Sequence, residues 1–482
     1  MTCVTEWIGA AEAAQRLGIK QASLYAYVSR GVLARRRAAD GRGSLFDADE
    51  IAQLALKGRP RRAPSGAELI IESSLTQITG SHFRYRGHDA VGLAMRRSFE
   101  EVAALLWTGH LPGPGIPADD PADGDRADGG GRAGLDGDSG LESGGWRATP
   151  LALAAGTAAQ AALPAGTLPL ERLQVIVPAL AATDPLRLQL DRPAVIAAGR
   201  SMIAGMIGCL QPAGERPQPA GEPPQPAGEP PQQAGERTER AGEAGSVAGR
   251  LAWALCPGQP TAGLVSAVQT ALVLLADHEL AASTLAARVA ASVRADPYAV
   301  VATGLGALGG ALHGGAALGA EVMLGSATGP ADAPRVVGDL LRRGERIPGF
   351  GHFVYKTGDP RAVLLLRVIA EHAPDSPQLA VSRAVLAEAR RRALPEPNID
   401  FALATLATAA GMVPGAGEAI FAVARTAGWI AHAMEEYDRN APIRPRSVYT
   451  GPAARPDPAP RPDPAPQPDS AQLPSSDPRP AR

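Results

Sequence analysis

The chain has 482 residues, a formal net charge of −2, 4% aromatic residues and three cysteines. Such a length allows several domains with a substantial core, and the near-neutral balance excludes a general nucleic-acid or membrane-surface binder. Cys3, Cys209 and Cys256 are too few and too scattered for a disulfide framework or a metal cluster, which points to a reducing cytoplasm.

The N-terminus, "MTCVTEWIGAAEAAQRLG", lacks the basic-then-apolar order of a secretory signal, and no apolar run reaches bilayer length, so no membrane association is expected. "AAEAAQRLGIKQASLYAYVSRGVLARRR" predicts two short helices with a turn at Gly18. Their apolar stripes are Ala10, Ala13, Ala14, Leu17 and Leu24, Tyr27, Val28. A hairpin or wing and a helix starting near Asp47 should follow. Residues 1–62 hold eleven Lys/Arg against six Asp/Glu, a local excess of basic charge. This stretch resembles the winged helix-turn-helix of the MerR and excisionase type. The resemblance implies a recognition helix around Gln21–Val28, with Arg35 to Arg37 near DNA phosphates. A helical scaffold or dimerisation element without a DNA target is the alternative.

From residue 69 the pattern is helix after helix, and the body reads as all-α. "SFEEVAALLWTGHLP" places Ser98 and Glu101 at capping-box spacing, buries Val102, Leu105 and Leu106, and stops at Gly109. Residues 113–146 are Gly/Asp-rich, and 211–237 repeat a seven-residue Pro-Ala-Gly-Glu unit with nothing to bury. Both read as inserts, and 452–482, with its "RPDPAP" repeats, reads as a disordered Pro-rich tail. "GLVSAVQTALVLLADHELAAST" puts Leu264, Val268, Leu272 and Leu275 on one helix face, ending at Asp277-His278-Glu279.

Of the eight histidines, three stand out by their surroundings. His313 sits among the glycines of "GLGALGGALHGGAALGAEVML", and His352 between glycine and phenylalanine in "GERIPGFGHFVYKTGDPRA". His278 lies between two acids. Asp400, in "LPEPNIDFALATLA", precedes an apolar helical run where burial would raise its pKa and make it a usable base. Taken singly, each has a structural alternative: a helix cap for Asp400, a core-satisfied histidine for the others.

"LTQITGSHFRYRGHDAVGLAMRRSFEEVAALLWTGHLP", "ADHELAAST", "GALHGGA", "GFGHFVYKTGDPRA", "NIDFALA" and "FAVARTAGWIAHAMEEYDRNAPIRPRSVYTG" together resemble the citrate synthase family, including 2-methylcitrate synthases, over residues 69–451. That implies a large and a smaller helical domain, the smaller at roughly 314–405, which close on the acceptor. It implies an acyltransferase that condenses acetyl-CoA or propionyl-CoA with oxaloacetate, with acyl-CoA as substrate and no cofactor or metal. By the same resemblance, Asp400 would remove the proton alpha to the thioester. His313 would bind the thioester oxygen and His352 the acceptor ketone. His278, Arg361 and Arg425 would hold the acceptor, and Lys356 would meet a CoA phosphate. Arg444 would complete the neighbouring site in a homodimer. Phe353 stands where members commonly have Arg, and Ala281 where many have Asn.

The chemistry agrees with that assignment. The alpha proton of a thioester is weakly acidic, so the base needs the developing oxyanion stabilised at the same moment, and guanidinium groups clamp carboxylates. A second reading, from the basic first sixty residues, is a DNA-binding transcriptional regulator using the synthase-like body as a metabolite sensor.

Overall fold

Helices rich in alanine and glycine can approach one another closely, and this chain exploits that around one buried helix. The computed structural model describes residues 7–17, 24, 28, 33–37, 44–51, 71–80, 82–113, 145–210, 245–447 and 449–451. Residues 1–443 form one compact unit and 444–482 a second. Most of the expected recognition helix, residues 114–144, the insert 211–237 and the tail 452–482 lie outside the described residues.

At the N-terminus, β1 (Trp7–Gly9) leads into α1 (Ala10–Arg16), and β2 (Arg36–Arg37) pairs with β3 (Ser44–Asp47). The sheet is antiparallel with order β1-β3-β2, so the predicted hairpin is present. Ile8, Ala13, Leu24, Leu33, Phe46, Ala48 and Ile51 give these elements their own small core. Among the described residues the body departs from the all-α expectation chiefly ahead of its first helix. There β4 (Thr76–Thr79), β5 (His82–Tyr85) and β6 (His88–Asp89) form an antiparallel meander. β5 buries Phe83 and Tyr85 in alternation with His82 and Arg84, and the polar residues of β4 and β5 hide the period of two in sequence.

Helices then follow: α2 (Ala90–Ala94), α3 (Phe99–Thr108), α4 (Pro150–Ala161), α5 (Pro169–Ala181), α6 (Arg192–Cys209) and α7 (Val247–Leu255). Next come α8 (Ala262–Leu275), α9 (Ala282–Ser292), α10 (Pro297–Leu308), α11 (Gly315–Gly325) and α12 (Ala333–Arg342). The last are α13 (Pro360–His372), α14 (Pro377–Arg391), α15 (Ile399–Ala409) and α16 (Ala416–Arg439). The Ser98–Glu101 capping box and the left-handed Gly109 stop of α3 are as predicted. Trp146, assigned by sequence to the first insert, instead stacks on Trp107 at 5.5 Å and is buried, because the core takes up a ring of that size.

α16 is the central helix, buried on every side from Ala416 to Met434. Its apolar residues fill the core, and it buries Glu418, Arg425, Thr426 and His432 among them. A Cβ on Gly428 would strike the Ala276 carbonyl oxygen and the Asp277 carboxylate, which cannot both give way. Gly428→Ala should therefore destabilise the protein by about 1–3 kcal/mol, read as a lower urea midpoint. Gly306→Ala, inside α10 with nothing within 4 Å of the added methyl, should instead raise the midpoint, by about 0.5–1 kcal/mol of stability. A second, smaller core gathers Met323, Leu324, Val336, Val337, Ile347, Val385 and Phe401.

Candidate active site

The stretch "GFGHFVYKTGDPR" links the smaller core to α13. Gly349 (φ +79°) and Gly351 (φ +76°) take the left-handed backbone that favours glycine. This segment is laced to the approach to α15. The Gly351 N–H donates to the Glu396 carbonyl (2.8 Å), the Asn398 N–H to Gly349 O (2.8 Å), and Asn398 Nδ2 to Gly351 O (2.9 Å). Asn398 Oδ1 meanwhile caps α15, accepting from the Asp400 and Phe401 N–H groups at 3.0 and 3.4 Å. One asparagine thus ties the histidine loop to the start of the Asp400 helix. The cap of α15 is therefore Asn398 rather than Asp400, and Gly349 makes a close approach to Phe401.

His352 Nδ1 accepts from the Val354 and Tyr355 N–H groups at 3.0 and 3.2 Å, so the neutral ring carries its proton on Nε2. That nitrogen lies 3.3 Å from Arg361 Nη2. Burial, helped by the Arg361 charge, pushes the ring down to about 4 and keeps it neutral near pH 7. Arg361, at the first turn of α13, is buried and grips Asp359 through Nε (3.0 Å) and Nη2 (2.8 Å). Asp359 also accepts the Ile399 N–H at 3.1 Å, one residue before Asp400.

Tyr355 joins three of these groups. Its hydroxyl is 2.9 Å from His278 Nε2, its ring stacks on His352 at 4.9 Å, and the Arg361 guanidinium lies over it at 5.4 Å. The His278 and His352 rings meet edge to face at 5.6 Å. His278 is held well below its ordinary pKa by burial first, then by Arg361 and Arg425.

A buried polar chain holds Asp277, the residue before His278. Arg288 donates to Glu436 Oε1, Glu435 Oε2 and His432 Nδ1, each at 2.6 Å. Because Arg288 can only donate, His432 carries its proton on Nε2 and offers it to Asp277 at 3.2 Å. Thr76 of β4 closes the chain by donating to the other Asp277 oxygen.

Arg425, on α16, spends only Nε on protein, donating to Leu275 O at 2.8 Å. Its Nη1 and Nη2 are buried and have no hydrogen-bond partner among the described residues. Burial pushes this guanidinium down to about 10. It lies 4.7 Å over the Phe421 ring, whose edge meets His313 at 5.8 Å. His313 Nε2 is 2.8 Å from Ser283 Oγ, and burial plus the Arg425 charge push its ring down to about 4. Asp400 is raised to about 7 by burial, with Arg361 opposing and Asp359 adding to the rise.

His278, His352 and Arg361 are therefore in direct contact through Tyr355. His313 reaches Arg425 through Phe421, and Asp400 adjoins the Asp359–Arg361 pair. Lys356 is exposed, its Nζ 5.3 Å over the Phe353 ring. Arg444 is exposed and belongs to the second unit. Sequence reasoning missed Tyr355, Asp359, Ser283 and Phe421. The first two lay within the motif already singled out, whereas nothing local marks the others. A cavity of about 310 Å³ lies apart from these groups, lined by Cys256, Thr261, Gly263 and His372 among others. Burial pushes the Cys256 thiol up to about 11, so it is no nucleophile there.

A family model described as citrate synthase, C-terminal domain, matches residues 67–446. The chain is 38% identical over 213 residues to "Citrate synthase 2" of Bacillus subtilis, covering 43% of this chain and 56% of that protein. It is 31% identical over 370 residues to the 2-methylcitrate synthase of Mycobacterium tuberculosis, covering 76% of this chain and 84% of that one. The first of these relatives is matched over little more than half its length. Among solved structures, citrate synthase from Thermotoga maritima aligns with a TM-score of 0.57 at 24% identity, covering 82% of this chain and 96% of that one. The ternary complex of carboxymethyl coenzyme A and oxaloacetate with the Thermoplasma acidophilum enzyme aligns with a TM-score of 0.60 at 24% identity, covering 80% and 96%. These two show a shared fold.

Proposed function

The chain belongs to the citrate synthase family, and from that premise we propose that it condenses acetyl-CoA or propionyl-CoA with oxaloacetate. Hydrolysis of the thioester then releases citrate or 2-methylcitrate and CoA. The observation that carries this reading is the buried Arg425 fork with two unpartnered nitrogens, set beside neutral histidines and a carboxyl raised to about 7.

A buried guanidinium without a partner is costly, and a substrate carboxylate would satisfy both nitrogens at once. His352 Nε2–H and Arg361 Nη2 are donors 3.3 Å apart, an arrangement that an oxygen between them would relieve. The acceptor ketone supplies such an oxygen. His278 and Arg361 hold the rest of the acceptor, and Tyr355 orients them. Asp400 takes the alpha proton: its raised pKa makes it a stronger base than an ordinary carboxylate, and it remains largely ionised just above neutrality. With Nε2 engaged by Ser283, His313 meets the thioester oxygen through Nδ1 and stabilises the enolate as it forms. Lys356 takes a CoA phosphate. Acyl-CoA is the substrate, and no cofactor is needed for these steps.

A homodimer, in which Arg444 completes the neighbouring site, belongs to the same proposal, as does closure of the lobe at roughly 314–405 over the acceptor. Residues 1–62 are proposed to be a winged helix-turn-helix. Support comes from α1, the β2–β3 hairpin and their separate core. If it binds DNA, full-length protein should retard genomic fragments in a salt-sensitive way. A cytoplasmic location is proposed too. No helix among the described residues is long and apolar enough to cross a membrane.

The decisive assay follows thiol release from each acyl-CoA with oxaloacetate. No release above the level of Asp400→Ala would sink the reading. Turnover with both acyl-CoAs is expected, because one methylene discriminates by only about 1–3 kcal/mol.

A further inference from the structure

Glu418 stands in the first turn of α16, three residues before Phe421 and seven before Arg425, so the three share one helix face. That face lines the site, since Phe421 packs on His313 and Arg425 lies over Phe421. Glu418 is only 5% exposed. Its Oε1 is 4.0 Å from where a Cβ on Gly315 would stand, two residues beyond His313. A glutamate so placed ordinarily reaches back to cap the opening N–H groups of its own helix. Here that work is done by Glu321 of α11, which accepts from the Gly415 and Gly417 N–H groups at 2.8 and 3.0 Å. Among the described residues no hydrogen-bond donor reaches the Glu418 carboxyl. It is a buried acid with no structural task, placed at the end of the site where His313 would hold the thioester.

We propose that Glu418 is the general base of the hydrolytic half-reaction, activating the water that cleaves the condensed thioester. This rests on the condensing-enzyme reading and deepens it. Asp400 leaves condensation protonated, having taken the alpha proton, so it cannot deprotonate water until it resets. A second carboxylate removes that wait. The water oxygen bonds to the thioester carbonyl carbon as one of its protons passes to Glu418. Collapse of the tetrahedral adduct breaks the C–S bond, and Glu418 returns its proton to the leaving thiolate. The second proton of that water goes to solvent as the new carboxyl ionises. Burial raises Glu418 to about 7, and Glu321, Glu171 and Asp400 facing it add to the rise, so its proton affinity suits both transfers near neutral pH.

The test is Glu418→Gln in the full-length chain, with two readouts. One is first-turnover consumption of acetyl-CoA with oxaloacetate. The other is thiol release from citryl-CoA supplied directly. The expected result is consumption within about twofold of wild type while hydrolysis falls at least about 100-fold, with the condensed thioester accumulating. Intact condensation also reports an intact fold. Hydrolysis of citryl-CoA by the variant at the wild-type rate overturns this proposal alone. Equal loss of both phases, with Glu418→Asp restoring neither, overturns it too, since that pattern marks a structural residue. A wild-type chain that consumes no acyl-CoA overturns the parent reading instead, and this proposal with it.

Discussion

Replacing Asp400 by asparagine is expected to lower the rate of thiol release by about 10²–10⁴-fold, the usual worth of a positioned general base. In the wild type that rate should rise with pH and level off above about 7, because Asp400, and Glu418 in the hydrolytic step, work only when ionised and burial has lifted both to about that value. The neighbouring imidazoles contribute no limb in this range, since His313 and His352 are already neutral down to about 4. Stability provides the control. A carboxyl raised from 3.8 in the unfolded chain to about 7 in the folded one stabilises fully below the lower value. That stability is lost as pH rises through the upper value. Asparagine escapes this loss, so at pH 8 the variant should melt no lower than wild type. An Asp400→Asn chain with near-normal turnover would place the base elsewhere.

The second large effect is on stability and binding together. Arg361→Met leaves Asp359 ionised and buried without its partner, which is expected to cost about 3–5 kcal/mol. Burial alone would push Asp359 up, but the Arg361 guanidinium and its hydrogen bonds outweigh that and hold the carboxyl below the usual range. A depressed carboxyl stabilises above its unfolded pKa and loses that contribution as pH falls through the folded value. The deficit of the variant should therefore be largest near neutrality and shrink in acid. Arg361→Met combined with Asp359→Leu removes both charges and should recover most of the melting temperature while the KM for oxaloacetate stays high. If the double variant melts as low as the single one, the uncompensated Asp359 is not the cause.

Much of the site was legible because its parts are local. "GFGHFVYKTGDPR" holds His352, Lys356 and Arg361 within one short stretch, although the parts that Tyr355 and Asp359 play there emerged only from their contacts. The capping box of α3 was legible for the same reason: its partners are three residues apart. The meander at 76–89 was not, since its strands are short and its turn residues are polar. Nor was the burial of Trp146, which depends on Trp107 reached across the core.

By itself the sequence determined which chemical groups were available, that most of the body is helical, and where α3 begins and ends. Spacing and capping act within one or two turns, so neighbours in the chain suffice to set them. Tertiary structure alone decided the protonation states and the loose ends. Ser283 reaches His313 across 30 residues, and the Leu275 carbonyl meets Arg425 across 150. Desolvation depends on everything packed around a group, and no stretch of chain carries that information by itself.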